Sequence, residues 1–138
     1  MDLSLSERTK EGILIIDAKG QIVAGDGADR LRDRLKVLAE AGTVNAILNL
    51  AGVDYIDSSG LGALVMSFSA LRKKDGTLKL LNLTRRNVEL LVLTKLETVF
   101  EVFDDEQNAV NSFFPNREIK KFDILSFLQQ RKKATSED

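Results

Sequence analysis

Residues 53–68, VDYIDSSGLGALVMSF, place an aspartate, two serines and two glycines between a short β-branched run and an apolar run. After Gly60 the apolar residues recur at helical spacing, through Leu61, Leu64, Val65, Phe68 and Leu71. The stretch therefore reads as a strand-to-helix junction, with the helix running from about Ser59 to Lys73. Ser58 or Ser59 would serve as an N-cap, worth about 1 kcal/mol. Neither has Glu or Gln three positions on, because Leu61 and Gly62 stand there, so no capping box forms. Glycine in a first turn costs up to about 1 kcal/mol against alanine. It is tolerable where another backbone must approach closely. By spacing alone, a simple helix cap and an exposed recognition loop are both open.

Upstream, EGILIIDAKGQIVA (11–24) is nearly continuously apolar on both sides of Lys19-Gly20. It predicts a strand over Gly12 to Asp17, a turn at Ala18 to Gly20 and a second strand behind it. GDGADRLRDRLKVLAEAG (25–42) changes period: Leu31, Leu35 and Leu38 mark a helix, with Asp26 as its cap and Gly42 past its end. TVNAILNLAG (43–52) is a short buried strand leading into the junction. Downstream, Asp75-Gly76 turns the chain into the strand TLKLLNL (77–83). RRNVELLVLTKL (85–96) reads as a shorter helix through Val88, Leu91, Val92 and Leu96. TVFEVF (98–103) follows as a last short strand, and DDEQNAVNSFF (104–114) begins a further helix that Pro115-Asn116 breaks. The alternation of strands and helices implies an α/β layer fold with a mostly buried central sheet.

Past Pro115, Ile119, Phe122, Leu125 and Leu128 follow i+3 spacing, which predicts an amphipathic helix with a frayed charged tail. Lys120, Lys121, Arg131, Lys132 and Lys133 flank it. Packing on its own domain, contact with a partner or second copy, and a basic membrane-surface helix are all compatible with this pattern.

Composition narrows the chemistry. The 138 residues suit one domain, with 43% hydrophobic and 30% charged residues. Twenty Lys and Arg against 21 Asp and Glu leave a net charge of −1, which argues against direct nucleic-acid binding driven by global charge. There is no cysteine, so no disulfide, thiolate metal site or cysteine nucleophile. There is no histidine either, which removes the commonest general base and metal ligand. MDLSLSERTK is polar where a signal peptide would be basic and then apolar. The apolar-looking run Leu61 to Leu71, interrupted by Ser67 and Ser69, is too short for a transmembrane segment. A soluble cytoplasmic protein is expected.

Catalytic motifs fail one by one. Gly60-Leu61-Gly62 starts like a dinucleotide fingerprint, but Val65 holds the third position; Gly25-Asp26-Gly27 fails likewise at Arg30. No P-loop and no G-x-S-x-G elbow occur. Asp54 and Asp57 lie three apart in the junction, a spacing more typical of solvated acids than of an acid–base pair. An enzyme in its own right is thus the weakest reading.

NLAGVDYIDSSGLGALVMSFSALRKKDGTLKLLNLT (49–84) closely resembles the anti-sigma-factor antagonists, the single-domain members of the STAS family. Their D-S-[ST]-G-L-[GA] loop is matched by Asp57-Ser58-Ser59-Gly60-Leu61-Gly62, and the likeness covers roughly residues 8 to 112. The resemblance implies a STAS-type fold: a mixed sheet of four to five strands, helices mainly on one side, and here an appended C-terminal helix. Residues 1–115 would form the STAS domain and 116–138 the extension. It also implies a partner, an anti-sigma factor that is itself a serine kinase and supplies the ATP, and a serine phosphatase that resets the switch. By position the phosphoacceptor is Ser58, with Asp57, Ser59, Gly60, Leu61 and Gly62 as partner-binding residues. The chain would carry no cofactor. Many members have an acid in a G-x-L-D pattern before the first helix; here Val23-Ala24 stand first, and Asp26 is the candidate replacement. The alternative within the family is a non-switching interaction module in a lipid-transport or signalling assembly.

Overall fold

The run Ile13-Leu14-Ile15-Ile16 is apolar at every position because its strand is buried on both faces. The computed structural model describes residues 2–129. In it, β1 (Ser4–Lys10), β2 (Ile13–Ile22), β3 (Asn45–Ile56), β4 (Thr77–Leu81) and β5 (Val102–Phe103) form one sheet in spatial order 1-2-3-4-5. β1 runs antiparallel to β2, and the remaining pairs are parallel. Parallel neighbours need crossovers. These carry α1 (Asp26–Glu40), α2 (Ser58–Arg72) and α3 (Arg85–Leu93); α4 (Glu106–Asn111) follows β5.

Strand alternation sorts the core into two layers. Leu14, Ile16, Leu48, Leu50, Leu78 and Leu80 meet Leu31 and Leu35 of α1, Leu64 and Leu71 of α2, and Leu91 of α3. Ile13, Ile15, Ile47, Leu81 and Phe103 face the other way, toward Ala109 and Val110 of α4. A mixed five-stranded sheet with helices mainly on one side is thus observed, as expected. On the α4 side Lys79 is a buried cation in mid-strand. Its Nζ reaches Glu101 at 2.8 Å, donates to Ser112 Oγ at 2.9 Å, and lies 4.3 Å from the Phe113 ring centroid. Those partners are what make a lysine tolerable at that depth. No helix among the described residues is long and apolar enough to cross a membrane.

Several local expectations are corrected. The turn lies at Glu11-Gly12, not at Ala18 to Gly20, and the polar segment Ser4–Lys10 is the first strand. β2 runs through Gly20 because register shifts beside it absorb the irregularity. Gly20 has φ of +115°, and a Cβ there would stand 2.3 Å from the Asp2 carbonyl oxygen. α1 is capped by Gly25, so Asp26 is its first helical residue. Of TVFEVF only Val102 and Phe103 pair with β4, and Leu96–Thr98 forms a 3₁₀ turn after the left-handed Lys95. The extension is not one helix from Arg117 onward. It is non-helical through residue 123 and helical over 124–129, with Asp123 accepting the Ser126 amide at 3.0 Å and its hydroxyl at 2.8 Å. The charged tail with Arg131, Lys132 and Lys133 lies outside the described residues.

Candidate functional site

Ile22 and Ile56 are paired in the parallel ladder, so the loops that leave β2 and β3 emerge side by side at the C-terminal end of the parallel strands. Those loops open α1 and α2, and the DSSGLG segment sits at this double helix start. The N-cap of α2 is Asp57, not a serine. Its Oδ1 accepts the Gly60 amide at 2.8 Å, satisfying one of the four orphan donors of the first turn. Its Oδ2 accepts the Ala24 amide at 2.9 Å, which ties the α1 entry loop to the α2 entry loop. With both oxygens engaged, first by Ala24 and then by Gly60, the Asp57 carboxyl is held below its ordinary value. A carboxylate so committed is a poor proton acceptor.

Because the aspartate caps, both serines are released from that task. Ser58 and Ser59 are the first two residues of α2 and are exposed. Gly60 is buried, and a Cβ on it would stand 2.0 Å from the Ile22 carbonyl oxygen, so only glycine lets α2 start this close to β2. Gly62 differs: it is exposed, and an added Cβ would meet nothing within 4 Å. It leaves a bare patch of helix surface one turn from Ser58. Leu61 is half-buried and packs against the main core.

Asp26 lies at the start of the neighbouring helix, where its carboxylate pairs with Arg30 at 3.0 Å. The contact to the junction from that side comes instead from the Ala24 backbone. No side-chain pattern marks it, since the donor is a peptide N–H. Asp54 is exposed, Arg86 of α3 lies 4.4 Å over the Tyr55 ring, and buried Asn87 donates to the Val53 carbonyl at 3.0 Å. Thus α3 braces the strand that delivers the junction, a role no spacing rule assigns.

The arrangement presents an exposed hydroxyl at the positive end of a helix dipole, next to a carboxylate that is already spent on the backbone. Such a group can accept a phosphoryl group, and the helix start would favour the resulting anion by about 0.3–1 kcal/mol.

The sequence model of the STAS domain matches residues 4–109, which is most of the chain. The chain belongs to the STAS domain family. Within that family it is 32% identical over 110 residues to the anti-sigma-B factor antagonist of Bacillus subtilis (strain 168), covering 80% of this chain and 99% of the relative. The anti-sigma-B factor antagonist of Listeria monocytogenes is 30% identical over 114 residues, covering 81% of this chain and 98% of the relative. Among solved structures, the Bacillus cell fate determinant SpoIIAA in its phosphorylated form superposes with a TM-score of 0.63 at 17% identity, covering 80% of this chain and 99% of that one. The fold is therefore that of the anti-sigma factor antagonists.

Proposed function

We propose that this chain is a phosphorylation-controlled anti-sigma-factor antagonist. In its unmodified form it binds an anti-sigma factor that is also a serine kinase, and the sigma factor is freed. The kinase transfers the γ-phosphoryl group of its own ATP to Ser58 Oγ, the hydroxyl proton is lost, and ADP leaves. A serine phosphatase hydrolyses the ester and resets the switch. The observation that carries the reading is the exposed Ser58 at the first position of α2, directly after the capping Asp57. The relatives matched along nearly their whole length, all anti-sigma-B factor antagonists, support it.

The switch is physically simple. Phosphorylation adds about −1.5 to −2 charge at a surface hydroxyl. In the free protein the helix start and water accommodate that charge, and the fold survives. Beneath a partner the same group is desolvated beside Asp57, and a loss of about 3–4 kcal/mol would weaken binding a few hundredfold.

A second reading keeps the fold without the switch: an interaction module in a lipid-transport or signalling assembly. The added C-terminal segment beyond the STAS match favours it. Incubation with the cognate anti-sigma kinase and ATP, followed by mass spectrometric location of the phosphate, separates the two. Phosphate on Ser58 is expected. Phosphate on Ser59 alone would show the acceptor misassigned, and none, with a kinase active on a control antagonist, would favour the non-switching module.

A further inference from the structure

From Ser58 to Leu71, α2 carries no charged side chain, in a chain of which 30% is charged. The neighbouring α1 carries eight in its 15 residues. A helix with one face in solvent ordinarily places its charges there. The inner face of α2, with Gly60, Leu64, Ser67 and Leu71, is buried. Its outer face is Ser58, Gly62, Met66 and Ser69, all exposed and three or four positions apart, so they form one line along the helix. The line starts beside the Asp57 carboxylate and ends at Arg72, Lys73 and Lys74, with Asp75 as the one acid among them.

Shape and charge on this line complement themselves. Met66 is 54% exposed and borders an open cleft of about 510 Å³ between α1 and α2, so its own chain leaves it largely uncovered. One turn earlier, a Cβ on Gly62 would meet nothing within 4 Å. A flexible apolar knob and a bare dent thus stand four residues apart on one face. A twofold axis midway between positions 62 and 66 sets Met66 of each copy on Gly62 of the other. The two helices then run antiparallel, so their dipoles oppose, and the lysine end of each copy meets the Asp57 end of the other. Parallel pairing would instead set Met66 on Met66 and lysines on lysines. An anionic lipid surface would suit the lysine end alone.

We infer that the outer face of α2 is a self-association surface, through which two copies of this chain pair antiparallel, α2 on α2. The assignment is independent of the Ser58 switch. It nevertheless places Ser58 of each copy against the second half of α2 of the other, so pairing and modification of that hydroxyl compete. One helix face about 22 Å long falls short of a standard interface of about 800 Å² a side, and a dissociation constant on the order of 0.1–1 mM follows.

Sedimentation equilibrium of the full chain, from about 10 μM to about 1 mM, should show monomer passing into dimer. Met66→Lys and Gly62→Leu should each weaken the dimer at least about tenfold. Both positions are exposed, so the variants keep the fold, which their melting temperatures and dispersed NMR spectra verify. The chain has no cysteine, so a nitroxide on exposed Ser69→Cys is unique. Mixed with isotope-labelled wild type, it should broaden amides 57–61 of the labelled copy most strongly. Monomer at every concentration would overturn the assignment and leave the face to a different protein or to lipid. A dimer that survives both substitutions, or strongest broadening at 66–73, would overturn it equally.

Discussion

The Asp57 carboxylate and the Ala24 amide, 33 positions apart in the chain, are joined by a hydrogen bond of 2.9 Å. The other oxygen of the same carboxylate caps α2 at Gly60. One side chain therefore fixes the entry angles of two helices at the end of the sheet where Ser58 is displayed. Any charge placed on Ser58 is next to the residue that holds both loops, so a modification there is felt at the start of α1 as well.

Asp57→Ala removes both acceptors at once. Amide exchange of Ala24 and Gly60 should accelerate, while that of β3 and β4 stays slow, and Tm should fall modestly. Asp57 has a folded pKa below its ordinary value, so its contribution is present at neutral pH and is lost as pH falls through the folded value. The wild-type and Asp57→Ala melting curves should accordingly converge in acid. Thermal melts across pH, with hydrogen exchange read by NMR, check both statements.

Ser58 substitutions separate shape from charge. Ser58→Ala should bind the anti-sigma kinase with near wild-type affinity and resist release by ATP. Ser58→Asp should bind about tenfold or more weakly, less than the phosphate's full effect because it adds one charge. Calorimetric titration against the kinase gives the affinities. Equal affinity for the two variants would remove charge at this position as the switch.

The two glycines of the loop should behave oppositely. Gly60→Ala forces a Cβ against the Ile22 carbonyl and the buried Ile56 side chain, and the strand backbone cannot yield cheaply. A loss of about 2–3 kcal/mol is expected. Gly62→Ala has open space around it and gains helix propensity, stabilising by about 0.5–1 kcal/mol. Denaturant unfolding measures both, and kinase affinity of Gly62→Ala reports whether the bare patch is covered in the complex.

Acid sensitivity should also arise far from the switch. Arg8 of β1 bonds Asp17 at 2.7 Å and Glu106 of α4 at 3.1 Å, which holds both carboxyls below their ordinary values. Asn49 adds a further bond to Asp17 at 2.8 Å. The stabilisation is fully present above the ordinary carboxylate range and disappears as pH falls through the lowered folded values. All three side chains are partly solvated, so the network is worth about 1 kcal/mol. Arg8→Met should flatten the acid limb of a stability–pH profile while leaving the profile's shape near neutrality unchanged.

Local pattern carried much of this fold. Leu31, Leu35 and Leu38 announce α1 by period alone, and the bare sequence also marks the strand-to-helix change at residues 53–68. β1 is not legible in the sequence because an edge strand exposed along most of its length has little apolar alternation to show. The turn expected at Ala18 to Gly20 rests on a local signal, glycine after a polar residue. The actual cause of that glycine is the Asp2 backbone packed against it, which no window around residue 20 contains. The expected single helix past Pro115 likewise yielded to a long-range demand. Phe122, partly buried, packs against the core, and the helix begins just after it, at the Asp123 cap.

By itself, then, the chain's order of residues determined the α/β alternation, the Asp-Ser-Ser-Gly junction and the absence of histidine and cysteine chemistry. These follow from neighbours a few bonds apart, where backbone period and residue type suffice. Only the tertiary structure decided that Asp57 rather than a serine is the cap, and that Gly60 is obligatory and Gly62 is not. Each depends on atoms brought together by chain closure, and the geometry of that closure is a property of the packed sheet, invisible to any local spacing.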